Sequence, residues 1–264
     1  MYVFPQFTTG SVGMYPLRRR RSARTVRNVL ADGSEVKYTD PDWALWEWEL
    51  LATGLTGNEW LALQTLHQNV LGRRGTFTFL EPAGNLLLQS EDPSAAEWNN
   101  DPQIGVTTGI DDPWGTTRAV RILNSGAADQ DVAQDLAVPG DFQYVLSVWA
   151  RSVGGDGVSL VAETTGGSAV QAFSLSSAWQ RIHMRIALGQ ATQSVRFGAR
   201  VAAGKQVDLC GMQAEAQPDA SAYQKTGSQG GVHSSARFLD DVLTCRAQST
   251  DVFDVSVRVA SRGN

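Results

Sequence analysis

The stretch that most constrains the fold lies at residues 46–88, where two strand patterns flank a helix pattern. From Trp46 to Leu50, apolar residues alternate with acidic ones, which is the period of a strand with one buried face and one solvated face. The alternation resumes from Thr76 to Leu80 and ends at Pro82. This order predicts a strand, a helix and a second strand built around one core.

The predicted helix carries a start signal and a stop signal. Thr56 and Glu59 have the spacing of a capping box, in which the hydroxyl and the carboxylate bind backbone N–H groups that have no partner inside the helix. Gly72 supplies a residue that readily adopts the left-handed conformation of a helix end. Apolar residues recur between them at helical spacing: Trp60, Leu63, Leu66 and Val70. The sequence predicts a helix at about 56–71.

Length and texture indicate two domains of a mainly β protein. The chain has 264 residues, which is more than one core usually holds. After Gly84 the sequence becomes rich in Asn, Asp, Pro and Ser, and from Arg118 short β-prone runs follow at intervals, as in an antiparallel sandwich or jelly roll. We therefore predict a small β-rich domain with one helix at 1–85 plus 227–264, and an inserted antiparallel β-sandwich at 86–226.

Composition argues against several partners. The net charge of −5 argues against a general nucleic-acid binder. No window of the sequence approaches the roughly 20 apolar residues of a membrane span. The N-terminus lacks a basic segment followed by an apolar run, so no export signal is expected. Cys210 and Cys245 are far apart in sequence, which favours two buried thiols over a disulfide.

The sequence shows no pattern for catalysis, a cofactor or a metal. His67, His183 and His233 have no Cys or His neighbours at metal-ligand spacing and are interpreted as structural. Adjacent acids such as Asp111 and Asp112 point to opposite sides of a strand, so neighbours in sequence do not make a catalytic pair. We predict that the protein is not an enzyme, with calcium binding in the acidic loops kept as an alternative.

The tryptophans are the candidates for ligand binding. Trp98 and Trp114 stand among Asn, Asp, Pro and Gly residues, where an exposed indole ring could stack on the apolar C–H face of a sugar. The alternative is that these rings fill the core or a loop corner. For Trp149 and Trp179, which lie in or beside β-prone runs, the core is favoured.

A basic run is the second candidate site. Arg18, Arg19, Arg20 and Arg21 precede a predicted hairpin whose turn contains Asp32 and Gly33. The run is consistent with a solvated strand face, a contact between subunits or, least favoured on an acidic chain, a phosphate site.

Two parts of the chain resemble known families. Residues 15–38 and 46–87 are similar to the N-terminal part of phage and prophage minor tail proteins of the distal-tail or baseplate type. Residues 211–226, GMQAEAQPDASAYQKT, are similar to the closing strand of jelly-roll modules that resemble carbohydrate-binding modules in phage tail and fibre proteins.

The resemblance implies a virion structural protein at the tail end. Such a protein would form a ring with itself, often sixfold, join the tail tube to the tip or hub proteins, and carry an outward sandwich. The expected location is the phage tail, after assembly in the host cytoplasm. The alternative is a receptor-binding module that attaches to a host cell-surface glycan, and a polysaccharide-degrading enzyme is the least favoured reading.

Overall fold

A computed structural model describes residues 1–262 of the chain, with the side chains of all of these except 41–44. It contains one α-helix and fifteen β-strands in this part. In chain order these are β1 Met14–Val29, β2 Glu35–Leu55, α1 Gly57–Asn69, β3 Phe77–Leu80, β4 Ile104–Ile110, β5 Ala119–Asn124, β6 Gln130–Leu136, β7 Gln143–Arg151, β8 Val158–Thr164, β9 Gly167–Phe173, β10 Gln180–Ala187, β11 Val195–Val201, β12 Gln206–Glu215, β13 Val232–Phe238, β14 Cys245–Ser249 and β15 Val252–Arg262. The mainly β fold class is confirmed.

The chain divides into two compact units. Unit 1 comprises residues 1–8, 12–79 and 233–262, and unit 2 comprises residues 9–11 and 80–232. Unit 2 is therefore an insertion in the sequence of unit 1. Whether each unit folds alone stays a prediction.

Unit 1 is built on one sheet with the strand order β1-β2-β15-β13-β3, to which β14 adds by pairing with β15. The N-terminal and C-terminal parts of the chain meet in its centre, where Trp48 of β2 pairs with Val259 of β15. The core beside it is aromatic, because Phe79 packs against Trp48 at 5.0 Å and against Phe4 at 5.6 Å between ring centroids. Burying such rings is the main stabilising contribution that a sheet of this size can make.

Helix α1 begins as the sequence predicts. Thr56 is the N-cap, and both bonds of the capping box with Glu59 are present. Gly72 has a φ of +60°, as expected of a left-handed helix end, although Leu71 adopts the same conformation at +57° and the helix itself ends at Asn69. The buried residues Leu63 and Leu66 fix the side of the helix that faces the core.

The hairpin of β1 and β2 is longer than predicted. The sequence pattern gives separate short strands around Asp32 and at 46–50, whereas the structure has one strand of 21 residues in β2. Among the described residues, pairing between β2 and β15 runs as far as Leu45 with Arg262, and residues 22–44 have described pairing partners only within the hairpin. We call this segment the hairpin arm; most of its described side chains are exposed on both faces.

Unit 2 is a sandwich of two antiparallel sheets. One has five strands in the order β10-β7-β12-β5-β4 and the other has four in the order β6-β11-β8-β9. Tyr144 of β7 meets Phe197 of β11 edge to face at 5.2 Å, which joins the two sheets through the core. Seven of the nine strands match predicted runs; β4 and β6 carry no clear alternation and were not predicted from the sequence.

Candidate functional site

The outer face of the five-stranded sheet is identified by strand alternation. Tyr144 points into the core, so the odd-numbered residues of β7 face away from it. Cross-strand partners lie on the same face, and Trp149 is paired with Arg181 of β10 on one side and with Cys210 of β12 on the other. Trp149 and Arg181 are both half-buried, so this face is partly open to solvent.

An aromatic group occupies this face. Trp114, which lies in the loop between β4 and β5, is stacked on Tyr223 at 5.9 Å and meets Trp149 edge to face at 5.8 Å. Trp179 lies just before β10 with the guanidinium of Arg151 4.7 Å from its ring centroid. We call Trp114, Trp149, Trp179 and Tyr223 the aromatic patch. Trp114 is its most exposed tryptophan, at 45%.

Asp112 holds the loop that carries Trp114. Its carboxylate accepts hydrogen bonds from the backbone N–H groups of Trp114 and Thr116 at 2.8 and 2.9 Å, from the Thr116 hydroxyl, and from Nε of Arg118 at 2.8 Å. Burial by itself would raise the pKa of this carboxyl, but the hydrogen bonds outweigh it and hold the pKa well below its usual range. Asp112 is therefore an ionised anchor that fixes the position of the ring.

A polar cleft of about 230 Å³ adjoins the patch. Arg118 lines it and also lies over the Trp114 ring at 4.9 Å, so this residue links the cleft to the aromatic surface. Glu91 in the cleft pairs with Arg118 at 3.3 Å and with Lys225 at 2.5 Å, and the Tyr223 hydroxyl donates to it at 3.4 Å. The cleft thus offers hydrogen-bond donors and acceptors in fixed positions beside an aromatic ring.

Arginines border the other side of the patch. Asp208 is nearly buried and accepts from Arg121 at 2.8 Å and from Arg151 at 3.0 Å. Arg181 donates from Nη2 to the hydroxyl of Ser147 at 3.0 Å, and Ser147 is fully buried beneath it.

The structure separates the two tryptophans predicted to bind a sugar. Trp114 is exposed on the patch, but Trp98 is only 5% exposed and its indole N–H donates to the Gln89 carbonyl at 3.2 Å. A ring that is 5% exposed offers almost no surface for a ligand, so the structure favours the alternative in which Trp98 fills the core. Trp149 and Trp179, predicted in the core, are instead half-buried on the outer face.

The basic run lies on β1, and its side chains contact acidic and aromatic residues of β2. Arg18 pairs with Glu49 at 3.2 Å and Arg20 with Glu47 at 3.7 Å, while the guanidinium groups of Arg19 and Arg21 lie over the Trp46 ring at 3.9 and 5.3 Å. These ion pairs are exposed, so each contributes only about 0–1 kcal/mol. Whether the run contacts another subunit stays a prediction.

The histidines and cysteines occupy structural positions. His67 contacts the Asp240 carbonyl at 3.2 Å, His233 packs against Trp48 at 4.5 Å, and His183 lies on the exposed side of β10. Cys210 and Cys245 are free thiols; burial raises the pKa of Cys210 to about 12, whereas Cys245 is only half-buried. Within residues 1–262, no group of three or more His, Cys, Asp or Glu residues is arranged to hold a metal ion.

Several residues of the site could not be found from the sequence. Tyr223 lies in the segment that resembles a module-closing strand, but nothing in its spacing places it against Trp114. Arg118 and Arg181 stand in ordinary β-prone contexts. Strand alternation does place Trp149 and Tyr144 on opposite faces of β7, but it does not show which of the two faces is buried.

The fold and the patch define a class: a chain with an antiparallel β-sandwich that carries an aromatic and polar surface on one sheet. No protein-family model matches the sequence, and no curated protein matches it by sequence. None of the described helices is long and apolar enough to cross a membrane.

Solved structures similar to this chain include the enzymatically active domain of bacteriophage CBA120 tailspike protein 4, at 11% identity and a TM-score of 0.40, covering 52% of this chain and 22% of that one. The CBM22-1 xylan-binding domain of Paenibacillus barcinonensis Xyn10C is 15% identical at a TM-score of 0.42, covering 53% of this chain and 99% of that one. TmCBM61 in complex with β-1,4-galactotriose is 14% identical at 0.38, covering 49% and 97%. This chain thus spans about a fifth of the tailspike chain. The likeness concerns the fold alone.

Proposed function

We propose that unit 2 binds carbohydrate at the aromatic patch. The observation that carries this proposal is Trp114: a large ring, 45% exposed, held in place by stacking on Tyr223 and by the Asp112 anchor. An exposed aromatic ring is unfavourably solvated by water, and a ligand that covers it removes that cost. Because the ring is already held in place, little conformational entropy is lost when the ligand binds. The apolar C–H face of a pyranose ring has the size and chemistry to do so.

The polar groups around the patch suit the edge of a sugar. Hydroxyl groups both donate and accept hydrogen bonds, and the patch is bordered by the cations Arg118 and Lys225 and by the carboxylate of Glu91. These groups are already held by one another, so little side-chain entropy is lost when a ligand binds. A binding site needs this combination of an apolar platform with a few oriented polar groups.

We also propose that the site binds without catalysis. A glycosidase needs a carboxylic acid that stays protonated near neutral pH, which usually requires an apolar environment. Here Asp112 is kept ionised, with a lowered pKa, and Glu91 and Asp208 are each paired with two cations. These carboxylates therefore act as ionised partners of the side chains around the patch, and none is placed to act as a general acid.

The test is glycan binding by the full-length chain and its Trp114→Ala variant. A glycan array identifies a bound oligosaccharide, and titration calorimetry then measures its affinity. We expect Trp114→Ala to weaken binding by about 5- to 150-fold, because an aromatic ring at the centre of a contact contributes roughly 1–3 kcal/mol. The matched control is Val170→Ala, an exposed apolar residue on β9 of the other sheet, which should bind like the parent protein.

Two results would count against this proposal. One is an array on which the parent protein binds no glycan. The other is a bound glycan whose affinity is the same for Trp114→Ala as for the parent, which would place the site elsewhere. Release of reducing sugar from a bound oligosaccharide would contradict the non-catalytic part.

A second function is favoured by the hairpin arm: we infer that unit 1 assembles with copies of itself and with other phage tail proteins at the tail end, in a ring of the virion. An isolated two-stranded hairpin is marginally stable in water, yet the described strand partners of residues 22–44 all lie within the arm and its hairpin. It exposes apolar side chains near its tip, at Val29, Leu30 and Tyr38. Contact with a second molecule would stabilise it.

The copy number and the tail-tube and tip partners follow from the resemblance and stay proposals with it. They are tested by light scattering and negative-stain microscopy across concentration, with and without isolated tails. Rings or tail-bound density are expected.

The variant with Arg18, Arg19, Arg20 and Arg21 replaced by Gln should assemble less well. The loss should be larger at low salt, where ion pairs between subunits are screened least. Replacing Arg73 and Arg74, exposed residues beyond α1, is the control. A chain that remains monomeric and never joins tails would refute assembly.

A further inference from the structure

The cations on the outer face of the five-stranded sheet are not equally neutralised. Arg121 and Arg151 share the single carboxylate of Asp208, so these three groups together carry one net positive charge. Further along β10, Arg185 pairs with Asp219 at 3.0 Å. The charge on this face is therefore positive around Arg121 and Arg151, whereas Arg185 is neutralised by its own carboxylate partner.

Arg181 differs from these neighbours. Its guanidinium donates a hydrogen bond from Nη2 to the Ser147 hydroxyl at 3.0 Å, and it forms no ion pair with a carboxylate of the described residues. Ser147 is neutral and fully buried, so it orients the guanidinium without neutralising it. A guanidinium presents up to five N–H donors in a planar fork, and one bond to a hydroxyl leaves most of them available.

The position of Arg181 ties it to the aromatic patch. It is the direct cross-strand partner of Trp149, and Trp149 in turn contacts Trp114. Cross-strand partners in an antiparallel sheet have Cβ atoms about 4.5–5.5 Å apart, so the guanidinium lies within side-chain reach of a ring stacked on the patch. The half-buried environment lowers the screening by water and strengthens a charge pair made there.

We propose that the glycan recognised by unit 2 is anionic, and that Arg181 binds the carboxylate of an acidic sugar while the aromatic patch stacks on its ring. This rests on the carbohydrate-binding function proposed above and names its ligand class. A carboxylate accepts two parallel N–H···O bonds from a guanidinium, which fixes the orientation of the sugar as well as its charge. Uronic acids and sialic acids share this chemistry.

The experiment compares carboxylated glycans with neutral counterparts that lack only the carboxylate. An array carries uronic-acid and sialic-acid oligosaccharides beside their neutral forms, and binding of the best pair is then measured by calorimetry with the full chain. We expect the carboxylated form to bind more tightly, by about 10- to 100-fold, as expected of a charge-assisted hydrogen-bonded pair. The preference should shrink as salt is raised. The two families of acid on the array separate a uronate from a sialate ligand.

Variants assign the effect to one side chain. Arg181→Gln should lose the preference for the carboxylated glycan and keep the weaker affinity for the neutral one. Arg181→Lys should retain part of the preference, because it keeps the charge and loses the fork. Arg185→Gln is the matched control: it lies on the same strand and the same face but is paired with Asp219, and should change affinity by less than about twofold.

The outcomes are distinguishable. If the parent protein binds neutral glycans as tightly as carboxylated ones, the anionic ligand class is refuted and the proposed carbohydrate binding stands. Equal losses in Arg181→Gln and Arg185→Gln would overturn the role given to Arg181. If no glycan of either kind binds, the proposed function itself fails and this inference fails with it.

Discussion

At the scale of single residues, Asp112 decides whether Trp114 is held in place. Replacing it by Asn keeps the shape of the side chain but removes the charge that accepts from Arg118 and the Thr116 hydroxyl. Because hydrogen bonds to a charged group contribute about 1.5–3 kcal/mol each, we expect Asp112→Asn to lower the free energy of unfolding by about 2 kcal/mol at pH 7. Denaturant titration followed by tryptophan fluorescence measures it. The control is Asp111→Asn, an adjacent exposed acid that should have little effect.

The sign of the pH dependence follows from the lowered pKa of Asp112. In the unfolded chain this carboxyl titrates near the usual value of about 4, so its contribution is complete above that pH and is lost as the pH falls below it. The difference in unfolding free energy between the parent and Asp112→Asn should therefore narrow as the pH falls from about 4 to about 2. A gap that stays constant over that range would show that the carboxylate charge is not what stabilises the loop.

At the same scale, sequence reasoning could recognise residue types but not their surroundings. Trp98 and Trp114 have similar local composition, and both were candidates for an exposed platform. What separates them is tertiary: Trp98 finds the Gln89 carbonyl as an acceptor inside the sandwich, whereas Trp114 is propped on Tyr223, more than a hundred residues away. No local periodicity encodes contacts of that range.

At the scale of elements, the start of α1 couples three segments through one carboxylate. Glu59 accepts from the backbone N–H and the hydroxyl of Thr56 at 2.7 and 2.8 Å, and from the same two groups of Thr8 at 2.7 and 2.8 Å. Burial would raise the pKa of Glu59, but these bonds dominate and lower it. The carboxylate thus caps the helix and fastens the N-terminal segment to it.

We predict that Glu59→Gln destabilises unit 1 by about 1–3 kcal/mol, because the amide turns one acceptor into a donor that faces a backbone N–H. Thermal and chemical unfolding followed by circular dichroism should show the loss at pH 7 and a progressively smaller one as the pH falls below about 4, where the unfolded chain takes up a proton that the folded carboxylate, with its lowered pKa, still resists. Glu35→Gln, an exposed acid in the hairpin, is the comparison and should cost at most about 1 kcal/mol. Equal effects of the two changes would argue against the coupling.

Elements with strong local signals were the predictable part of the fold. The capping box predicts the start of α1, and β-prone runs predict β7, β12 and β15 almost to their ends. The missed strands carry polar or small residues where a strand pattern would have apolar ones: β4 has Gly and Thr, and β6 has Asp131 and Gln134 at buried positions. They are strands because neighbours pair with them, a long-range cause that outweighs local propensity.

At the scale of the whole molecule, the two ends of the long segment of unit 2, residues 80–232, lie beside each other within that unit. The Glu81 N–H donates to the Gly231 carbonyl at 2.8 Å, and the Gly231 N–H donates to the Asn85 carbonyl at 2.7 Å. The side chain of Asn85 bonds the carbonyls of Met212 and Gln224, so this residue belongs to unit 2. The junction predicted from the sequence, at 85 and 227, would leave Asn85 on the wrong side and strip its buried amide of these partners.

A remnant of unit 1 should therefore fold when residues 82–230 are replaced by a short glycine-rich linker. Every strand of its sheet remains, because the order β1-β2-β15-β13-β3 contains no strand of the unit 2 sandwich. The ends at Glu81 and Gly231 are already within hydrogen-bonding distance, so a linker of a few residues closes them at little entropic cost. We expect a single cooperative thermal unfolding transition by circular dichroism.

The matched comparison is excision of 86–226, which retains Asn85 without its partners and should unfold at a lower temperature. A remnant without any cooperative transition would show that unit 1 needs the insertion to fold, and assembly of the tail end would then have to be studied on the intact chain.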